Sequence, residues 1–316
     1  MVRFTIRRIL ASLIVLWAVT LIVFIATHAL PGDPARAILG REATSGQLAA
    51  LRRRLGTDQP LSDQYVTWLT DTIRLDLGSS LSNQLPVETF LASRIYGSLM
   101  IMLVAIVVST PLAIFLGGWS AWRRDRFADH SIALATLILA ALPEFVIGIA
   151  LVMVFATGWL HVFPAVYVEP EFSLKSGVAQ LLLPVATLVL VVVPYISRMM
   201  RGTMVSVLES EYVQYARLKG LPELTVLRRH VIPNAIAPVV QVIAIQIGYL
   251  LGGVVVVEYI FNYPGIGSAL VDAVGNRDLP VIQALTLLVS VTCILVNLLA
   301  DLLSASTQPQ AIERRR

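Results

Sequence analysis

The 316-residue chain is 57% hydrophobic and only 14% charged, with a mean hydropathy of +0.78. Soluble domains usually carry about a quarter charged residues, so this composition excludes an ordinary soluble protein and predicts an integral membrane protein. The net charge of +4 does not indicate nucleic-acid binding, because the basic residues are distributed as membrane topology requires. The single cysteine, Cys293, excludes a disulfide framework and a cysteine metal site, and we expect a small buried apolar residue there.

Six segments are long and apolar enough to cross a bilayer core of about 30 Å. They lie near 9–30, 97–119, 131–157, 178–197, 235–257 and 280–303. The first apolar run of about 22 residues is longer than the core of a secretory signal, so we expect an uncleaved first span. The sequence therefore predicts an all-α integral membrane fold with six transmembrane helices.

The distribution of lysine and arginine predicts the orientation of these spans. With six spans both termini share one side, and that side holds basic clusters at 3–8, 123–126, 198–229 and 314–316. The short loops of the opposite side hold only Lys175 and Arg277. Long translocated segments such as 31–96 are largely exempt from this bias. We therefore expect a multi-pass membrane protein with both termini in the cytoplasm.

Four parts follow from this topology: a stub and first span at 1–30, an extracytoplasmic segment at 31–96, a membrane core at 97–303 and a cytoplasmic tail at 304–316. In the outer segment, Ser45 is the predicted cap of a short helix that stops at Gly56, and Pro60 precedes a second helix. His28 ends the first span, and we interpret it as an interfacial histidine, with a ligand or proton relay as the alternative.

The third span contains Leu-Pro-Glu-Phe at 142–145, which places a proline and a carboxylate inside the hydrocarbon. Pro143 removes a backbone hydrogen bond, and an ionisable residue such as Glu144 is a candidate functional site because its burial is costly. The alternative is a hydrogen-bonded Glu144 that ties two spans together. Gln241 and Gln246 of the fifth span join Glu144 as a candidate translocation path, against the alternative of interhelical hydrogen bonds.

Other features of the spans predict packing. Pro184 and Pro194 predict kinks in the fourth span, Gln283 and Asn297 predict interhelical hydrogen bonds in the sixth, and Glu258 lies near the predicted outer interface.

The chain has no motif for catalysis or nucleotide binding. It contains no G-x-x-x-x-G-K-[ST], no H-E-x-x-H and no G-x-S-x-G, and its four histidines are scattered. The two halves do not repeat, as those of a gradient-driven carrier would. If the protein transports a solute, the energy enters from another subunit, and we predict that this chain is not an enzyme.

The charged loop 198–236 interrupts the apolar pattern between the fourth and fifth spans. We predict a helix from Glu211 to Lys219 with Tyr212, Tyr215 and Ala216 on one face. Gly220, Leu221 and Pro222 end this helix and reverse the chain, and a second helical stretch follows. We call residues 211–233 the knob, since two short helices joined at a glycine can form a rigid projection that fits a groove on a partner. The alternative is an amphipathic helix on the membrane surface.

The knob resembles the EAA loop of permease subunits of binding-protein-dependent ABC importers. Alignment on Gly220 and Pro233 puts Gln214, Tyr215 and Ala216 at the Glu-Ala-Ala triplet. Ala216, Gly220 and Pro233 match the pattern, whereas Gln214 replaces the acidic residue and His230 replaces an aliphatic one. Glu211, one turn before Gln214, is the alternative acidic contact to an ATPase.

Further motifs are similar to the dipeptide, oligopeptide and nickel subgroup of this family, and in particular to its first permease subunit. They are H-A-L-P-G-D-P at 28–34, L-D-L-G-S-S at 75–80, E-Y-V-Q-Y-A-R-L-K-G-L at 211–221, V-V-V-V-E-Y-I-F-N-Y-P-G-I-G at 254–267 and V-N-L-L-A-D-L-L at 296–303. The resemblance runs nearly end to end, although the family's D-P-R near the C-terminus is absent.

This resemblance implies a type I (MetI-like) permease fold in a heteromeric importer of the bacterial cytoplasmic membrane. The implied partners are a second homologous permease, two ATPase subunits or one fused ATPase, an extracytoplasmic substrate-binding protein, and the lipid bilayer. The knob, including Leu221, would dock on the ATPases, which would hold ATP and Mg²⁺, so no cofactor is expected in this chain. The implied cargo is a di- or oligopeptide, with a nickel chelate as the alternative. A structural or channel-like subunit without ATP coupling, and an exporter permease, are the competing hypotheses.

Overall fold

The computed structural model describes residues 2–29, 34–40, 43–158, 160–168 and 174–307. Across these residues it is all-helical, apart from one isolated β-bridge between Ser79 and Pro86, which confirms the predicted fold class. The described helices are α1 (Val2–Ala29), α2 (Pro34–Leu39), α3 (Ser45–Leu55), α4 (Leu61–Ile73), α5 (Val87–Trp122), α6 (Phe127–Ala141), α7 (Glu144–Val152), α8 (Leu174–Leu208), α9 (Glu211–Leu218), α10 (Glu223–Val226), α11 (Ile232–Ile260), α12 (Ile266–Asn276) and α13 (Leu279–Thr307). Short π-helical stretches follow α7 at Met153–Thr157 and α10 at Leu227–Val231.

The six predicted spans correspond to five long apolar helices and one bent pair. The five are Thr5–Ala29, Val87–Trp122, Gly177–Leu208, Glu223–Ile260 and Leu279–Leu299. The third span is instead α6 and α7, which meet at 105°. Proline lacks an N–H and pushes the preceding residue out of the helical region, and Leu142 accordingly has extended angles (φ −92°, ψ 133°).

Two other boundaries differ from the sequence prediction. Helix α5 begins at Val87, ten residues before the predicted start of the second span at Gly97, because Val87 and Leu91 are buried in a core cluster. Helix α8 continues for 35 residues through Pro184 and Pro194, so neither proline ends the helix.

The chain divides into two compact units, and the first comprises Met1–Gly97 and Pro264–Leu295. Its core joins the start of α5 to α12 and α13 through Val87, Leu91, Ala269, Ala273, Val281, Ile282, Ala284 and Leu285. On another side of this unit, Phe24 packs against Tyr65 and Trp68 of α4. The predicted hydrogen bond of Gln283 is confirmed, since its Nε2 donates to Thr27 Oγ1 at 2.9 Å.

Within the first unit, the structure also shows which residue caps α3 and what His28 contacts. Thr44, not Ser45, caps α3, because Thr44 forms a reciprocal capping box with Gln47. Gly56 ends this helix at φ +69° as predicted. The half-buried His28 lies at the end of α1 with its ring nitrogens 2.8 Å from Phe24 O and 3.1 Å from Gln64 Oε1.

The second unit comprises Ser98–Tyr263 and Val296–Arg316. Helix α8 packs against α6, α7 and α11 and buries an apolar stripe that includes Leu188, Val192 and Ile196. Helix α5 approaches α8 closely at Gly117, where an added Cβ would lie 2.3 Å from Ser197 O. Glu258, predicted only to lie near an interface, is fully buried and accepts a hydrogen bond from Ser98 Oγ of α5.

Candidate functional site

The knob in the second unit continues directly from two long helices that are bonded to each other at its base. Helix α8 ends at Leu208 and α11 begins at Ile232. Between them, Thr203 Oγ1 donates to Ala235 O at 3.1 Å. Arg124 also pairs with Glu209, immediately after α8, and the Glu209 carboxylate holds the pKa of Arg124 above its ordinary value through a hydrogen bond and charge attraction. The base of the knob is therefore held by the bond between Thr203 and Ala235, whereas the exposed pair of Arg124 and Glu209 adds little.

Helix α9 has one buried and one exposed side. Val213 and Ala216 are buried, whereas Tyr212 and Tyr215 are exposed. The predicted common face of Tyr212, Tyr215 and Ala216 therefore divides by burial, with Ala216 buried and the two tyrosines exposed. Tyr212 and Ala216 are only about 40° apart around the helix, so the small alanine lies at the edge of the packed side, where it is buried with Val213, while the bulkier tyrosines remain outside.

The turn after α9 has the geometry that the sequence predicted. Gly220 adopts φ +74°, a left-handed conformation that glycine takes without the steric cost of a side chain. Its N–H donates to Arg217 O at 2.9 Å and closes the end of the helix. Pro222 then precedes α10 as its N-cap residue. Gly220 therefore sets the angle between the two short helices.

The second half of the knob is anchored by buried aliphatic side chains. Val226, Leu227 and Val231 are buried, and the backbone continues through the π-helical stretch into α11. Pro233 lies exposed in the first turn of α11, and His230 is half-buried. The knob thus consists of two short helical segments joined by a tight turn, and each segment has buried apolar side chains.

The outer surface of the knob carries apolar side chains that the unit itself does not cover. They are Tyr212, Tyr215, Leu218, Leu221 and Leu224, which we call the apolar ridge. Leu218 is the most exposed of them at 82%. Leucine and tyrosine so exposed on a charged loop are typical of a protein contact surface.

Two positions, Glu211 and Gln214, were considered for the acidic contact to an ATPase, and both lie on the exposed part of α9. Glu211 occupies the first turn, and Gln214 follows three residues later, which places the two side chains on neighbouring positions of the helix surface. The Gln214 amide donates to Glu209 O at 3.3 Å. Glu211 is therefore accessible at the same end of the knob.

The candidate path residues occupy different positions in the second unit. Glu144 lies half-buried in the first turn of α7, and Tyr249 Oη of α11 donates to its Oε2 at 3.5 Å. An added Cβ at Gly253 would lie 3.8 Å from Glu144 Oε1. Gln246 is buried and Gln241 half-buried on α11, about 140° apart around that helix. The structure thus brings Glu144 to Tyr249 and Gly253, and it places Gln241 and Gln246 on different faces.

The sequence did not predict two buried carboxylates. Asp129, in the first turn of α6, is 2% exposed and pairs with Arg201 of α8. Asp278, before α13 in the first unit, is also 2% exposed and accepts hydrogen bonds from Ser80, Leu81 and Ser82. The quoted motif L-D-L-G-S-S includes Ser80, but its partner lies 198 residues away, and local sequence gives no signal for such a pair.

Comparisons with known proteins match the chain over nearly its whole length. Residues 109–311 match the family model "Binding-protein-dependent transport system inner membrane component", and residues 1–82 match the model for the N-terminal part of the membrane component of such systems. The probable peptide ABC transporter permease protein y4tP of Sinorhizobium fredii is 35% identical, over 97% of this chain and 98% of that protein. The glutathione transport system permease protein GsiC of Escherichia coli K12 is 36% identical, over 98% of each.

A solved structure shows a related fold. The crystal structure of an amino acid ABC transporter with histidines aligns with a TM-score of 0.55 and 13% identity, covering 69% of this chain and 94% of that one. At this identity the likeness concerns the fold alone.

Proposed function

Because the chain belongs to the family of binding-protein-dependent transport system inner membrane components, we propose that it is the permease subunit of an ATP-driven importer coupled to ATPase subunits through loop 198–236. The observation that carries the coupling role is the knob, with its buried inner face, its base fixed to α8 and α11 and its exposed apolar ridge. A preformed helical projection of this kind loses little conformational entropy when it enters a groove on a partner.

The knob is suited to transmit a displacement into the membrane. Helix α8 precedes it and α11 follows it, so a push on the apolar ridge would act on two spans at once. Closure of the ATPase subunits around ATP would move these spans between inward-facing and outward-facing arrangements. ATP and Mg²⁺ would be held by the ATPases, whose hydrolysis supplies the energy, while this chain contributes no catalytic group.

The family name implies a binding protein as a partner of this permease, and the relative named as an ABC transporter permease supports an ATPase partner. We further assign it a second homologous permease subunit, two ATPase subunits or one fused ATPase, and an extracytoplasmic binding protein. The protein is a multi-pass component of the inner membrane. We assign its termini and the knob to the cytoplasm, and the basic clusters at 3–8, 123–126, 198–229 and 314–316 support this orientation.

We assign di- and oligopeptides as the cargo. The supporting observation is that the relatives named for peptide and glutathione transport match 97–98% of this chain, and glutathione is itself a tripeptide. A nickel chelate is the alternative cargo.

The translocation path would pass Glu144, where the third span turns by 105°. This carboxylate and the Tyr249 hydroxyl are polar groups among exposed apolar side chains such as Phe145. A negative charge at this point suits the ammonium end of a peptide. Gln246 and Gln241 would line or brace the path from α11.

The test is purification of the tagged chain from its native membrane in mild detergent, together with uptake of labelled alanine peptides of two to five residues. We expect an ATPase to copurify and uptake to depend on ATP and on this chain. Copurification of no ATPase would contradict the coupling role and favour a channel-like subunit. ATP-dependent uptake of nickel chelate, without uptake of any peptide, would overturn the cargo assignment alone.

A further inference from the structure

The end of α8 nearest the knob is joined to α6 by an ion pair between the half-buried Arg201 and the buried Asp129. Each carboxylate oxygen of Asp129 accepts two hydrogen bonds. Arg201 Nε donates to Asp129 Oδ1 and Arg201 Nη2 to Asp129 Oδ2, both at 2.7 Å. Ser120 Oγ of α5 donates to Oδ1, and the backbone N of Asp125 donates to Oδ2 at 3.0 Å. Three helices and the turn between two of them therefore meet at one carboxylate.

This ion pair lies between the knob and the bend at Pro143. Arg201 is seven residues before the end of α8 at Leu208, about 10 Å along a continuous helix. Asp129 is in the first turn of α6, whose 15 residues span about 22 Å before the break that precedes Glu144. The ion pair thus joins the helix that carries the knob to the helix that carries the bend.

The type of contact decides how motion passes between α6 and α8. Apolar side chains can slide past one another at small cost, whereas a two-point arginine–carboxylate pair fixes both the distance and the relative rotation of its helices. Separating this pair would leave the buried Asp129 carboxylate without its counter-charge. Helix α6 must therefore follow α8 when α8 moves.

We propose that Asp129 and Arg201 are the positioning residues that pass displacement of the knob to the α6–α7 bend and so to Glu144. This inference rests on the proposed function, in which partner ATPases move the knob. It adds the route by which that movement reaches the third span. The exposed pair of Arg124 and Glu209, at the same end of α8, is a natural control because water competes for both of its partners.

The test measures nucleotide-dependent accessibility next to Glu144 and needs no knowledge of the cargo. Phe145→Cys, on a Cys293→Ala background, places a single thiol at an exposed position in the first turn of α7. In the complex purified with its ATPases, we expect labelling by a charged methanethiosulfonate reagent to differ between the nucleotide-free and the ATP–vanadate states. Arg201→Lys, which keeps the charge but cannot form the two-point pair, should abolish most of that difference, and Arg124→Lys should preserve it.

A second measurement separates this role from simple stabilisation. In Arg201→Lys and Asp129→Asn, peptide uptake per ATP hydrolysed should fall about tenfold at an unchanged amount of assembled complex, with partial recovery in Asp129→Arg/Arg201→Asp. If the nucleotide-dependent labelling and the uptake-to-hydrolysis ratio are normal in Arg201→Lys, or if the labelling never depends on nucleotide with the pair intact, the inference is overturned. Failure of the proposed function would be seen differently, as loss of the ATPase from the purified complex.

Discussion

Arg217 and Glu223 pair across the Gly220 turn, with Arg217 Nε 3.1 Å from Glu223 Oε2 and Arg217 Nη2 2.6 Å from Glu223 Oε1. Both side chains are more than 40% exposed, so the pair contributes at most about 1 kcal/mol to the stability of the turn. The reversal of the chain therefore depends chiefly on the backbone of Gly220 and on the buried anchors of the two helices.

Gly220→Val should uncouple the protein from its ATPases while leaving it in the membrane. A β-branched residue at φ +74° costs at least about 1–2 kcal/mol, enough to change the angle between α9 and α10. We expect uptake to fall by about tenfold or more, since 1.4 kcal/mol corresponds to a factor of ten. Uptake and membrane content are measured in the same cells.

Gly202→Ala is the matched control for this prediction. Gly202 lies inside α8, and an added Cβ there meets no atom within 4 Å. Alanine is favoured over glycine within a helix by about 0.5–1 kcal/mol, so uptake should be unchanged. Normal uptake with Gly220→Val would contradict the role of the turn.

Leu218→Asn tests the apolar ridge as a docking surface. The side chain is 82% exposed, so the substitution should change the stability of the isolated chain by no more than about 0.5 kcal/mol. If an ATPase covers it, loss of the buried leucine should weaken binding by about 1–3 kcal/mol. The readout is the amount of ATPase retained during purification at graded dilution.

Ile73→Asn provides a comparison at another exposed apolar residue, since Ile73 of α4 is 74% exposed in the first unit. This variant should retain the ATPase fully. Equal retention in both variants would place the ATPase contact elsewhere than Leu218.

Glu144→Gln tests recognition of a peptide ammonium group in the path. Hydrogen bonds to charged groups contribute about 1.5–3 kcal/mol, so uptake of a peptide with a free amino terminus should fall at least about tenfold. Uptake of N-acetylated peptides should be the same in Glu144→Gln as in the unaltered protein, because these peptides have no ammonium group. Tyr249→Phe, which keeps the carboxylate and removes its hydroxyl partner, should have a smaller effect. The initial uptake rates of the free and acetylated peptides are compared, and equal losses for both would count against ammonium recognition.

Asp278→Asn should destabilise the first unit. Asp278 accepts hydrogen bonds from Ser80 Oγ, Ser82 Oγ and the backbone N–H groups of Leu81 and Ser82. An amide would place an N–H against these donors, at a cost of about 1–3 kcal/mol. Thermal unfolding in detergent measures the effect. Asp272 of α12 is exposed, so the control variant Asp272→Asn should unfold at the wild-type temperature. An unchanged unfolding temperature in Asp278→Asn would show that the hydrogen bonds of Asp278 contribute little to stability.

The sequence by itself determined the membrane class, the positions of the apolar segments and the turn of the knob at Gly220. Hydrocarbon thickness fixes the length of an apolar helix, and glycine and proline act through their own backbone geometry, so Gly220 and Pro143 could be interpreted from local pattern. Helical periodicity was less decisive. It grouped Ala216 with Tyr212 and Tyr215, and only packing showed that Ala216 faces inward with Val213.

Only the tertiary structure decided which polar groups meet. Asp129 and Arg201 are 72 residues apart, and Ser80 and Asp278 are 198 apart. No local pattern specifies such pairs, because partners distant along the chain are chosen by the packing of whole helices. The same holds for the 105° turn at Pro143. Pro143 favours a break, but α8 continues through Pro184 and Pro194, so the contacts of α7 with α8 and α11 decided the turn and its direction.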